Sequence, residues 1–505
     1  MVHGRKRGHA RWVLLSLVVL LAGLGFLGWW KLFREVPQQL ASDSMEEQFK
    51  YGSIGAENDQ GMPYWIFVVL PKMFPEYLPR PGGWASLGLS YEQGRDVPVG
   101  FSKKTIGFER VAINCALCHT ARVRKPGEAV PRIFPGGPGN AVDPLGYQNF
   151  LFAVAGDPRF TASNVLDQIA QIKQLSAIDR MLYRFILVPQ ARKALLRQRS
   201  NFNWTKSRVA WGHGRIDPFN PIKFGILRRE TYGNKRIDEI DDNTIGNSDM
   251  QPIWNLRPRV ERKMAYHWDG LNTNLREVLL SSALGDGAST KSLPLDSLAR
   301  LQQWLEGLPP PRFEDLFPVD HTLAKTGEPI FQEHCARCHA MDGERTGQLL
   351  ALNDAAWSEG VDAAAPRPRH TDTHRAEMWT PGAAEAYNRY ADGYAWDFKN
   401  FRSTGAYVNV PLDGLWIRAP YLHNGSVPFL AELFELPDKR TKIFYRGLDV
   451  YDPVRMGFVS EGDEAKRVGS VYDTSKEGNG NHGHLWGIQL PADAKRALIE
   501  YLKTL

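Results

Sequence analysis

The sequence predicts a mainly α fold, with two helical domains behind an N-terminal transmembrane helix. Three observations predict it. An uncharged run, WVLLSLVVLLAGLGFLGWW, spans Trp12 to Trp30 behind Arg5, Lys6, Arg7 and Arg11. All four cysteines fall in two copies of one pentapeptide, Cys115-Ala-Leu-Cys118-His119 and Cys335-Ala-Arg-Cys338-His339. Each half then closes on apolar residues at helical spacing: Leu301, Trp304, Leu305 and Leu308 in the first, Leu498, Tyr501, Leu502 and Leu505 in the second.

The apolar run is long enough to span. Nineteen residues at about 1.5 Å each reach roughly 28 Å, close to the hydrocarbon thickness of a bilayer. Trp29, Trp30 and Lys31 read as an interfacial belt, and the basic flank as the cytoplasmic side, leaving the body of the chain in the periplasm of a bacterial inner membrane. A cleaved signal peptide is the competing reading, but such h-regions span about 7–15 residues and end on a small-residue site.

At 505 residues the chain exceeds one ordinary core. A formal charge of +6 is small for this length and gives no reason to expect nucleic acid as a partner. The expected organisation is residues 1–35 as basic flank and anchor, 36–308 as a first domain, 309–322 as a linker opened by Pro309-Pro310-Pro311, and 323–505 as a second domain.

The cysteine pattern carries the chemistry. C-x-x-C-H is the signature of covalent c-type haem attachment, with two thiols for the vinyl groups and the adjacent His for iron. Zinc ribbons place such pairs about 15–20 residues apart, and a thioredoxin-like redox pair or a simple disulfide leaves both histidines unexplained. The expectation is two haem c groups, on Cys115/Cys118 and Cys335/Cys338, with His119 and His339 as iron ligands.

Around the second motif, Ala324 to Phe331 reads as a short helix, and Asp493 as the cap of a terminal helix. This resembles the small helical cytochrome c domain, with Gly327, Phe331 and Tyr501 at a helix crossing. Gly107 and Phe108 before Cys115 look like a looser copy. Between them, residues 163–199 read as one or two amphipathic helices broken at Pro189, and 36–100 as irregular wrapping with no strand-rich region.

Several stretches together resemble bacterial dihaem cytochrome c peroxidases, and more closely the branch that includes the dihaem rubber oxygenases. They are Val97 to Phe101, Asn114 to His119, Gly214 to Asp217, Trp254-Asn255, His267 to Gly270, Ala419 to Ser426 and Gly483-His484. The resemblance implies a reactive N-terminal haem at His119, open to peroxide or dioxygen. It implies a six-coordinate relay haem at His339 and Trp268 as the electron relay between them. It also favours His484 as the sixth ligand of the second haem, ahead of Met456 and His423, while Met341, Met378, His370, His374 and His482 fit less well.

The peroxidases place a Met about fourteen residues beyond the His423-type position, where this chain has Pro437. Oxygenase-like members carry a bulky apolar residue over the reactive haem, where this chain has Ser281-Ser282-Ala283-Leu284. For the first haem, His213, Met250, Met264 and His267 are candidate ligands but read more simply as packed side chains. Glu277 is a candidate acid/base, and Arg215 with Asp217 a buried ion pair or propionate contact.

Two functions follow as expectations. One is a peroxidase-like oxidoreductase acting on a small redox substrate with an electron-donor or acceptor protein. The other is an electron carrier that links a dehydrogenase to an acceptor.

Overall fold

The computed structural model describes residues 3–235, 239–240, 242–354, 357 and 371–505. The candidate ligand His370 lies outside them. The first element is a helix, His3–Leu32, of which Trp12–Leu32 is wholly unburied and long and apolar enough to cross a bilayer.

The body corrects the expected class. Helix takes 43% of the chain and strand 11%, so the architecture is mixed rather than two mainly α, cytochrome c-like domains. Among the described residues there are one four-stranded antiparallel sheet and five two-stranded ribbons. The four-stranded sheet orders Glu35–Val36, Phe101–Ile106, Phe108–Ile113 and Met62–Pro63. Its centre is a hairpin in which Ile106 pairs with Phe108 across Gly107. The residues read as a helix before Cys115 are therefore strand. Thr105, Ile106, Val111 and Ile113 are β-branched and suit a pleated surface, and Gly107 turns the hairpin at φ +74°.

The helix crossing at the chain end does form. Helices His321–His334 and Ala492–Leu502 pack on one another, with the Phe331 and Tyr501 rings 5.2 Å apart. Gly327 permits the approach, since a Cβ there would lie 2.0 Å from the Ala497 carbonyl oxygen and 2.9 Å from Tyr501 Cβ. Asp320 caps the first helix, accepting from the amides of Thr322 and Leu323. Asp493 sits inside the first turn of the second instead of capping it. Because backbone cannot yield as a side chain can, Gly327→Ala is expected to cost about 2 kcal/mol, despite the ~1 kcal/mol that Ala gains in a helix. Urea unfolding measures it, and an unchanged midpoint would refute the tight crossing.

The first half ends on helix Leu295–Gly307, which buries Leu298, Leu301 and Leu305 and sets Trp304 5.3 Å from Phe49. Pro189 does not break its helix. The helical path runs from Ala177 to Asn201 and widens over Tyr183–Leu187, where the Val188 amide reaches back five residues to the Tyr183 carbonyl. A proline ring clashes with the carbonyl four residues before it, and one wider turn removes the clash.

Two apolar cores organise the rest, and neither is built from one half of the sequence. The larger joins Phe49 through Leu305 with Met378 to Phe401 and packs against Cys115 and Cys118. The smaller joins Phe313 through Leu502 with Ala121, Val123 and Trp254 and packs against Cys335.

Candidate haem-binding site

Different elements present the two motifs. The hairpin delivers the first: Asn114, at the end of strand Phe108–Ile113, accepts from the Ala116 amide and donates to the carbonyls of Lys50 and Gly52. That network holds the short helix Cys115–Leu117. The second motif leaves helix His321–His334 directly, with Ala336–His339 as one further turn.

The two histidines are nonetheless fixed alike. His119 Nδ1–H donates to the Gln251 carbonyl and His339 Nδ1–H to the Val410 carbonyl, each at 2.8 Å. With Nδ1 as donor, the tautomer leaves the Nε2 lone pair available to a metal. Burial holds both rings neutral, pushing His119 down to about 4 and His339 down as well. It also raises the thiols, Cys115 and Cys335 to about 12 and Cys118 far up. These groups are therefore poised as neutral ligands and thiols. Among the described residues no group of three or more His, Cys, Asp or Glu side chains gathers as it would around a bare metal ion. A haem iron asks for no such cluster, because its macrocycle already supplies most of its ligands.

A cavity of about 350 Å³ opens beside the second motif. Cys335, Cys338, His339, Trp268, His423 and His484 line it with Leu415, Leu430, Leu433 and Phe434. The His339 and His484 rings stand 6.2 Å apart at 37°. Two imidazoles each about 2 Å from one metal put their ring centres about 6 Å apart, so the pair fits an iron between them. Burial and the neighbouring His339 and Arg440 push His484 down to about 3, and its Nδ1 is buried without a hydrogen-bond partner. On the cavity wall, Arg418 donates to Pro411 O and Asp413, yet its Nε has no partner. Such a buried donor suits a propionate carboxylate. The residues present fit a haem.

Four of the other candidates for this iron are engaged elsewhere, while the buried Nε2 of His482 has no partner. Met456 is fully buried in the smaller core, and its carbonyl accepts from Tyr421. His423 turns its Nε2 to Tyr407 Oη at 3.0 Å, with the two rings stacked 4.2 Å apart. Met378 is buried and its carbonyl accepts from Lys223. His374 binds Asp372 and Glu477.

That last pair ties residues 372–374 to the approach of His484, since the Gly480 amide also donates to Asp372. The Asp372 hydrogen bond raises His374 to about 9, overcoming burial. A raised folded-state value gives stability that is complete below the unfolded pKa, about 6.5, and lost as pH rises through about 9. The urea midpoint is accordingly expected to fall between about pH 6.5 and 9.5, and His374→Gln to flatten that fall. A parallel pH profile in the variant would refute the assignment.

Trp268 and His267, adjacent in sequence, sit in different surroundings. The Trp268 ring lines the second cavity, and its indole N–H donates to Asp249 O at 2.7 Å. His267, in the left-handed region at φ +64°, is buried edge-on to Phe219 at 5.2 Å. Burial, then Arg375 and the nearby His119, push it down to about 3, and its Nε2 has no partner.

Around the first motif the remaining candidates separate. His213 bonds Ser470, Met264 packs against Gly347, and Met250 sits in the larger core with its sulfur beside Gly139. Glu277 is no acid/base: its oxygens accept from Asn272, Asn274 and the amide and side chain of Asn400, so it pins two loops together. Arg215 and Asp217 do not pair. The first donates to Trp211 O, Ala210 O and Asn479, and the second accepts from Asn220 and Gly246. Ser281 meets the Tyr387 hydroxyl at 2.8 Å.

Sequence reasoning missed the carbonyls of Gln251 and Val410, which orient the histidines and carry no residue signature. It also missed Asp286, which burial pushes up to about 7 and whose charge acts on Cys115 and Cys118.

Residues 406–445, which include His423 and Tyr407, match the family described as RoxA-like, cytochrome c-like. Two proteins of Sinorhizobium fredii are similar over longer stretches. The uncharacterized protein y4iM is 29% identical over 286 residues, 51% of this chain and 64% of that protein. The uncharacterized protein y4iJ is 27% identical over 478 residues, 78% of this chain and 77% of that protein. The chain thus spans just under two thirds of the first relative and just over three quarters of the second. The matched segment, 40 of the 505 residues, is similar to a cytochrome c segment, and cytochromes c carry covalently bound haem in redox roles.

Proposed function

We propose that this cytochrome c carries two haems with unequal tasks, electron relay at His339 and reduction of peroxide or dioxygen at His119. The observation that carries the proposal is the asymmetry of the motifs. His339 faces the imidazole of His484, whereas among the described residues no ring contact of that kind is made by His119. A haem with two protein ligands relays electrons, and one with an open position binds a small oxidant.

The chain would hold the groups through Cys115 and Cys118 with His119, and through Cys335 and Cys338 with His339 and His484. Gln251 and Val410 fix the histidine tautomers, the apolar wall excludes water, and Arg418 supplies positive charge. Trp268 would be the electron relay, a role supported by its ring on the second cavity and by its neighbour His267 within electrostatic reach of His119. The N-terminal helix would hold the protein at a bacterial inner membrane with its body in the periplasm, where a donor or acceptor protein exchanges electrons with it.

One observation favours a second reading, a carrier without catalysis. The unpartnered Nε2 of buried His267 could close the open position at the first iron. Electron paramagnetic resonance of the oxidised protein separates the two. A high-spin signal that shifts on adding peroxide or cyanide is expected; two low-spin signals with no response to either would overturn the catalytic reading.

A further inference from the structure

The surface beside the anchor carries an apolar stripe that the redox sites do not use. Ile178, Met181 and Phe185 follow one another at i, i+3 and i+7 on the helical path from Ala177, and Met181 and Phe185 are 61% and 68% exposed. Ile172 and Ile186 extend the patch. Tyr183 and Leu187, on the opposite face, are buried in the larger core. Arg180 and Arg184, one turn apart, are exposed on the flank of the same helix. Contiguous exposed apolar surface rimmed by basic residues marks an interaction site.

Its position identifies the partner. Asp179, within the stripe's helix, binds Lys31 Nζ at 2.7 Å, and Lys31 directly follows the aromatic belt of Trp29 and Trp30. The helix exit is itself clamped to the body rather than tethered. Strand Glu35–Val36 joins the four-stranded sheet, the Gly107 amide donates to Arg34 O at 2.7 Å, and Arg110 donates to Leu32 O at 3.1 Å. Gly107 lies so close that a Cβ there would meet the Leu32 backbone at 2.4 Å. The stripe is therefore held at the level where the spanning helix leaves the bilayer.

We infer that the helix beginning at Ala177 lies in the interface of that same bilayer. Ile178, Met181 and Phe185 enter the headgroup–acyl boundary, and Arg180 and Arg184 meet anionic headgroups. The inference rests on the reading of the N-terminal helix as a membrane anchor.

The test uses the full haem-loaded chain in vesicles of phosphatidylethanolamine and phosphatidylglycerol. Single variants Met181→Cys and Phe185→Cys, with Val454→Cys as an exposed reference, carry a nitroxide spin label. Power saturation compares collision with dioxygen, which concentrates in acyl chains, and with a water-soluble nickel chelate. A dioxygen-to-nickel ratio several-fold higher at 181 and 185 than at 454 is expected. Equal ratios in a chain that withstands an alkaline wash would overturn the interfacial helix and leave the anchor standing. A label shielded from both reagents would also overturn it, because a protein and not lipid then covers the stripe. Release of the chain by the wash would overturn the anchor, and the inference with it.

Discussion

Replacing His484 with Ala is expected to turn one haem from low-spin to high-spin while leaving covalent haem content unchanged. The reason is geometric. The His484 ring stands 6.2 Å from that of His339 across a cavity walled by Leu415, Leu430, Leu433 and Phe434, and the other histidine facing it, His423, is engaged by Tyr407. Removing the imidazole leaves water or an added ligand as the only occupant of that position. The thioether bonds depend on Cys335 and Cys338 and survive. Ligand titration gives the check: His484→Ala should gain cyanide binding at a second iron, and Met456→Ala should not. Met456→Ala should instead lose about 2–5 kcal/mol of stability, because Met456 is a fully buried side chain of the smaller core. An unchanged low-spin signal in His484→Ala, with its loss in Met456→Ala, would reverse the ligand assignment.

The second large effect concerns the first motif. The double substitution Cys115→Ala with Cys118→Ala is expected to halve covalently bound haem, read as the pyridine haemochrome per mole of protein. The low-spin signal assigned to His339 and His484 should persist, since the two motifs sit against different cores. Both thiols are raised by burial, Cys115 to about 12, so neither is a thiolate that some other metal would favour. Full haem retention in the double variant would refute two-haem loading.

Much of the site was legible because its chemistry is local. Five-residue motifs point to haem attachment wherever they fall, and an apolar run of nineteen residues announces a helix long and apolar enough to span a bilayer. Gly327 was legible for the same reason, as a small residue one helical turn before Phe331. The sequence reading of His484 came through resemblance, and the geometry places its ring opposite His339. The misses are non-local. Strands of two to six residues are too short for alternation to stand out, so Gly107 and Phe108 read as a looser copy of the helical approach to Cys335. Pro189 looked like a break because a widened turn has no residue signature. Glu277 looked available because nothing in its neighbourhood of sequence reveals Asn400, more than a hundred residues away. Trp379 and Tyr387, which bring bulk to the first half, are likewise remote in sequence.

The interleaving of the two cores has a consequence for how the chain is made. Met378 to Phe401 complete the apolar packing around Cys115 and Cys118, but they leave the ribosome more than 250 residues after those cysteines. The first motif thus emerges into a core that lacks part of its wall, and its thiols stay reachable for haem attachment until late in synthesis. Ala121 and Val123, lodged in the smaller core, wait in turn for helices that come last. Biogenesis and final packing are ordered in opposite directions along the chain, so a truncation near residue 370 would strand the surroundings of both motifs together rather than spare the first.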